Sequence, residues 1–220
     1  MRVSNSANTA LRRLEILNAT LEIISERGFA AARIIDIAKH SGISTGLILY
    51  YFPSKAELFA SALAHAEDSW YFEVERELLT ETTSKDELEM AIGLCLIGRE
   101  SGWLALPWSL WVDLWNHAIY DPALANVQRE SDARWKALLH FIVAAGVERG
   151  EFTLLGDLEV TIASLSAMLD GLAIALVGKL PESTPEWAFD LTMQFAAQAL
   201  GFSWTNTHRF DLNVALATKS

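Results

Sequence analysis

The sequence predicts an all-α protein, and three observations carry that prediction. Apolar residues recur at spacings of three and four along almost the whole chain, no run of four to eight residues alternates clearly between apolar and polar, and residues that start or stop helices fall at the ends of the periodic segments. Of the 220 residues, 51% are apolar and 20% charged, with eight tryptophans and ten phenylalanines, so the chain has the means to bury a sizeable core. Its length fits one extended domain or two small ones.

The first helix is expected from about Ala10 to Arg27, with Leu11, Leu14, Leu17, Leu21 and Ile24 on one face and Gly28 as its C-terminal stop. Two short helices follow, about Arg33–His40 and Ser44–Tyr50, separated by Ser41-Gly42-Ile43. Pro53-Ser54-Lys55 interrupts the chain, and the Ser54 hydroxyl can cap a long helix that runs to about Glu81. Ser84 and Glu87 have the spacing of a capping box and open a helix to about Gly98. A further helix lies between Trp103 and Ile119. Asp121-Pro122 then starts a long one that stops at Gly150, since Asp caps and Pro is tolerated in the first turn. Helices at about Asp157–Gly178 and Pro185–Leu200, divided by Pro181-Glu182-Ser183-Thr184, bring the total to about nine. The segment after Phe202 is unassigned.

The net charge of −11 hides a division. Residues 1–60 carry seven Lys/Arg and five Asp/Glu, whereas residues 61–220 carry ten and twenty-three, so a small basic module is joined to a strongly acidic body. An anionic partner is expected to meet the first sixty residues. Met1 is followed by Arg2-Val3-Ser4-Asn5 rather than an apolar segment, which points to the cytoplasm. The apolar stretch Ile162–Val177 is short for a bilayer span and contains Ser164, Ser166 and Asp170, so it reads as a buried helix, and no membrane partner is expected.

Enzyme chemistry finds little support. The chain has no Gly-rich phosphate loop, no Gly-x-Ser-x-Gly elbow and no carboxylate pair beyond ordinary surface acids, so no catalytic residue and no cofactor is assigned. His40, His65, His117 and His140 lack paired ligand spacing, and the single cysteine, Cys95, reads as a small thiol on an apolar helix, so no metal is expected. A helical protein-interaction bundle stays open as an alternative at this point.

The segment 33–50 carries the chemistry. Two short helices about a glycine turn have the form of a helix-turn-helix, whose second helix lies in the major groove of double-stranded DNA. Ser44 can cap that helix, Thr45 and Gly46 let its first turn approach closely, and Tyr50 and Tyr51 offer phenolic hydroxyls to phosphate. Lys55 opposes the dipole of the helix it begins, and a phosphate above it would account for a cation there. Half-buried packing is the competing role for the two tyrosines.

Ile34-Ile35-Asp36-Ile37-Ala38, followed by Gly42-Ile43-Ser44-Thr45-Gly46-Leu47-Ile48-Leu49-Tyr50-Tyr51-Phe52-Pro53-Ser54-Lys55, resembles the N-terminal signature of the TetR family of transcriptional regulators. The resemblance covers about residues 10–60 and implies that Thr45, Gly46, Leu47, Tyr50, Tyr51 and Lys55 face DNA, to which Arg33 and Ser44 are added as candidates. The chain departs from the pattern at Ala32, where a capping hydroxyl is usual, and at Leu47 and Leu49, where a hydroxyl and an aromatic are commoner. Leu47 has no hydrogen bond to offer, but it can touch a thymine methyl.

Trp111-Val112-Asp113-Leu114-Trp115, Asp121-Pro122-Ala123-Leu124, Arg134-Trp135 and Asp170-Gly171-Leu172 are similar to the effector domain of BetI-like members of that family. This second resemblance implies a ligand-binding, dimerising domain without naming the ligand. Trp108, Trp111 and Trp115 share a helical face, with Trp103 about a turn earlier, which fits packing or a ligand wall. For a cationic effector these rings, with Trp70, Asp113 or Asp170, would form an aromatic cage.

The expected organisation is therefore a DNA-binding domain at 1–53, a ligand-binding and dimerisation domain at 54–202 and a tail at 203–220. The resemblance implies a ligand-released repressor acting as a homodimer through the helices at 157–178 and 185–200. The periodic Ile162, Leu165, Leu169, Leu172 and Leu176 are expected to meet the partner. The helix at 54–81, which links module to body, is expected to carry the switch by changing the spacing of about 34–36 Å that two recognition helices need on DNA.

Overall fold

A computed structural model describes residues 2–79, 81–97 and 108–205, with the side chains of residues 2–7 outside the description. The described residues form helices and no strands: α1 (Arg2–Ala31), α2 (Ile34–Ser41), α3 (Thr45–Tyr51), α4 (Lys55–Leu78), α5 (Ser84–Leu96), α6 (Trp108–Ala118), α7 (Pro122–Glu148), α8 (Leu158–Val177) and α9 (Pro185–Leu200). Trp103 and most of the tail after Phe202 lie outside them.

Local chemistry sets most boundaries. Ser44 Oγ accepts from Leu47 N at 3.3 Å, Ser54 Oγ from Glu57 N at 3.1 Å and Asp121 Oδ1 from Ala123 N at 2.9 Å, each satisfying a first-turn donor that has no partner within its helix. Arg33 precedes α2 without a side-chain cap, and Ala32, one residue earlier, is buried. The helix α1 begins some eight residues before the periodic segment that predicts it. Nothing from Arg2 to Thr9 is Gly or Pro, so a helix already nucleated extends at one hydrogen bond per residue. Its break is where the sequence places it: Gly28 has φ +75°, and a Cβ there would also lie 3.2 Å from the Asp113 carboxylate. The cap of α5 differs from the expected Ser84–Glu87 pair. Thr83 Oγ1 accepts from Asp86 N at 3.1 Å, while Ser84 N donates to Glu151 and Glu87 pairs with Arg149, because partners distant in sequence compete for both residues.

The chain divides into two compact units. The first comprises α1, α2, α3, α4 through Trp70, α6, and α7 through Ser131. Its core holds Ile16, Ile24, Phe29, Ile37, Ile48, Phe52, Leu58, Leu63 and Leu114, and α6 packs against α1. The second comprises the rest of α4 and α7 with α5, α8 and α9, in which α9 packs on both α5 and α8. Leu88, Ile92, Leu139, Leu165, Met193 and Leu200 are among its fully buried side chains.

The described faces of α8 correct one expectation. Ile162, Leu165, Leu169 and Leu172 are buried within the chain itself, and Leu176 is half-buried, so they are not free to meet a partner. The outward stripe runs through Val160, Ala163, Ala167, Gly171 and Ile174. Leu158–Val177 is long and apolar enough to cross a membrane by length and composition, but Ile162, Leu165, Leu169 and Leu172 are buried in the second unit.

Candidate nucleic-acid interface

The helices α2 and α3 meet at Gly42, whose φ of +70° closes α2 and turns the chain toward Ser44. A helix advances about 100° per residue, so the positions of α3 can be assigned around the buried Ile48. Thr45 and Tyr51 lie beside it and are half-buried, Gly46 and Tyr50 form the opposite crest, and Leu47 and Leu49 occupy the two flanks. Tyr50 is 78% exposed, with its ring edge-on to that of Tyr51 at 5.4 Å. Ser44, Gly46, Leu47, Leu49 and Tyr50 therefore share an outward surface, while Tyr51 packs against the core of the first unit.

Three basic side chains hold this module together. Arg13 of α1 donates to the Tyr51 carbonyl at 3.2 Å and covers the Phe52 ring at 4.4 Å, clamping the end of α3. Arg27 pairs with Asp36 at 3.1 Å, tying α1 to α2. Lys55 Nζ donates to the Phe29 carbonyl at 3.0 Å and lies 5.0 Å from the Phe59 ring centroid. Burial and the nearby Arg33 charge hold the Lys55 ammonium below its ordinary pKa. Arg33 is exposed, and an anion beside Lys55 would stabilise its charged form.

The candidate effector residues fall into different settings. Trp108, Trp111 and Trp115 are half-buried in the first unit, with the Trp108 and Trp115 rings 6.3 Å apart and Trp111 packed on the core. Trp70, also in that unit, is half-buried. Asp113 accepts from Phe29 N at 2.7 Å and lies 3.2 Å from His117 Nδ1, while the His117 ring sits 5.7 Å from that of Phe29. The carboxylate thereby grips the backbone just after the Gly28 break. In the second unit, burial and then the Asp132 charge raise the Asp170 carboxyl above its ordinary pKa, with Lys136 opposing them. Neither Arg13 nor the Asp113–Phe29 grip is legible in the sequence, where an arginine in a helix and an aspartate in another are ordinary surface residues.

A helix-turn-helix with a capped, outward second helix, set in the net-positive part of an acidic helical chain, defines a DNA-binding transcriptional regulator. The profile described as bacterial regulatory proteins, tetR family, matches residues 16–62, and that of the BetI-type transcriptional repressor C-terminal domain matches residues 106–201. The chain belongs to the TetR family, with a BetI-type C-terminal domain, and is a regulator rather than an enzyme.

Among its relatives is the HTH-type transcriptional regulator BetI of Burkholderia cenocepacia strain HI2424, 24% identical over 163 residues that cover 74% of this chain and 80% of the relative. A transcriptional regulator from Saccharomonospora viridis, solved in complex with choline, is 25% identical with a TM-score of 0.78, over 87% of this chain and 98% of that one. A TetR regulator from Haloarcula marismortui ATCC 43049, 23% identical with a TM-score of 0.77 over 87% and 99% of the two chains, shares the fold.

Proposed function

We propose that the protein is a cytoplasmic repressor that binds operator DNA as a homodimer and leaves it when a small molecule binds. The observation that carries the DNA assignment is the outward surface of α3, set in the net-positive first sixty residues that also hold Arg33 and Lys55. On this reading residues 1–53 form the DNA-binding domain and 54–202 the ligand-binding and dimerisation domain. Ser44, Gly46, Leu47 and Tyr50 face the groove, Thr45 and Tyr51 stand at its margin, and Arg33 and Lys55 hold phosphate. Enrichment of duplexes from a random pool, followed by anisotropy titration at several salt concentrations, tests it. Saturable binding that weakens with salt is expected, with a salt slope about one unit smaller in Lys55→Ala. Absence of any enriched sequence would refute the assignment.

The dimer is assigned to the outward stripe of α8 together with Trp187 and Leu191 of α9, both exposed. Small residues at 163, 167 and 171 allow close approach of a second helix, and such a stripe is usually covered. Light scattering is expected to give twice the 24.4 kDa chain mass, and a stable monomer at micromolar concentration would refute it.

For the effector we favour an organic cation, with choline as the first molecule to test. Two observations support this: the choline-bound relative and the aromatic face of α6. Trp70, Trp103, Trp108, Trp111, Trp115, Asp113 and Asp170 are the residues to vary. A tenfold loss of operator affinity on adding effector corresponds to about 1.4 kcal/mol of coupling, and operator DNA must then weaken effector binding equally.

A further inference from the structure

The surface of α3 is unusual in what it offers. Leu47 and Leu49 are 38% and 42% exposed, and neither side chain can donate or accept a hydrogen bond. They lie about 100° to either side of the buried Ile48, so they bracket the outward crest formed by Gly46 and Tyr50. Gly46 itself answers to no internal demand. Its φ is not positive, a Cβ built on it would meet nothing within 4 Å, and glycine inside a helix is disfavoured relative to alanine. Its small size therefore serves whatever approaches from outside. The crest at this point is bare backbone with a leucine on each side.

The occupant follows from the chemistry of the groove. In the major groove, base edges present donors and acceptors except for one apolar group, the C5-methyl of thymine. A leucine covering a polar edge would strand it without water, whereas a leucine covering a methyl removes apolar surface from water on both partners. Arg33 and Lys55 supply the positive charge that seats the helix against phosphate.

Resting on the DNA-binding assignment above, we propose that α3 recognises its operator through thymine methyl groups, with Leu47 and Leu49 each covering one methyl and Gly46 setting how deeply the helix enters the groove. Each operator half-site then contains two thymines whose contribution lies in the methyl rather than in a hydrogen bond. Specificity at these positions falls to the two leucines.

The experiment uses the full chain and duplexes enriched from a random pool. Each thymine of the half-site is replaced in turn by deoxyuridine, which removes the methyl and leaves the base edge otherwise unchanged. Two positions are expected to lose about fourfold in affinity each, the factor corresponding to one buried methyl. Leu47→Ala should abolish the sensitivity at one position and Leu49→Ala at the other, both with unchanged helicity because the side chains are exposed. Gly46→Ala is expected to weaken binding to the enriched sequence by at least about tenfold and to affect random duplex much less. If the protein enriches a sequence and every thymine in it tolerates deoxyuridine, the proposal is overturned and the DNA-binding assignment stands. If no sequence is enriched, both fall.

Discussion

The flanks of α3 and the outward stripe of α8 both expose apolar side chains, and their settings differ. On α3 the apolar residues are Leu47 and Leu49, separated by a glycine and a tyrosine on a helix of seven residues. The first sixty residues, which hold this helix, carry seven Lys/Arg against five Asp/Glu. On α8 the stripe continues from Val160 to Ile174, about 21 Å along a helix of 20 residues, through alanines and a glycine. Discrete apolar points beside cations suit a polyanion with methyl groups in its groove. A long smooth stripe suits another helix. Exposure alone distinguishes neither; the spacing of the exposed residues and the charge around them do.

The inward and outward faces of α8 give the largest contrast to break. Leu165, fully buried, is expected to lose about 2–5 kcal/mol of stability on change to Ala, measured by denaturant unfolding, because a cavity is left in the second unit. A loss below about 1 kcal/mol would mean that the two faces are wrongly assigned. Ile174→Asp, on the outward face, should instead leave the helical signal intact and weaken the dimer by at least about tenfold, as read by sedimentation. Should the variant stay dimeric at the wild-type concentration, the stripe is not the interface.

Within the first unit, Asp113→Ala removes the charged acceptor for Phe29 N and is expected to cost about 1.5–3 kcal/mol. Asp113→Asn, which keeps an oxygen acceptor, should lose less. Faster hydrogen exchange at the Phe29 amide in the alanine variant is the specific readout; equal exchange in both would show that the grip contributes nothing.

The smallest effects come from titratable groups of the second unit. The Asp170 carboxyl is raised above its ordinary value, so its contribution to stability is full in acid and declines as pH rises through the raised value. Asp170→Asn should accordingly be neutral or slightly stabilising at pH 7. A variant that unfolds at a lower temperature would refute that sign. Burial and then the Asp170 charge push the Cys95 thiol up to about 12, so stability that is complete below its ordinary value of 9.0 is lost as pH climbs toward 12. Native protein at pH 8 should react with a thiol reagent far more slowly than unfolded protein, and equal rates would refute the shift.

Much of this was legible without coordinates, for a definable reason. The ends of α3, α4 and α7 follow from Ser44, Ser54 and Asp121, whose side chains bond to donors two or three residues away, so the information is local. The helix-turn-helix and its signature are local too, since Gly42, Ser44 and Gly46 act within a few residues of themselves. Capping misleads at α5, where a distant partner intervenes: Ser84 N is taken by Glu151, sixty-seven positions away, and the cap passes to Thr83.

Sequence periodicity determined that α8 is an apolar helix and that the chain is all-α, while the glycine turn, the charge division and the signature residues marked the DNA-reading motif at its basic end. It could not determine which apolar residues of α8 face inward, because Ile162, Leu165, Leu169 and Leu172 obey the same spacing whether a helix of this chain or of a second copy covers them. Nor could it reveal that Asp113 holds Phe29 across eighty-four residues, or that Arg13 clamps the Tyr51 carbonyl across thirty-eight. Tertiary structure decided these points because a side chain's partner is chosen by proximity in space, and proximity between distant segments is created only when the helices pack.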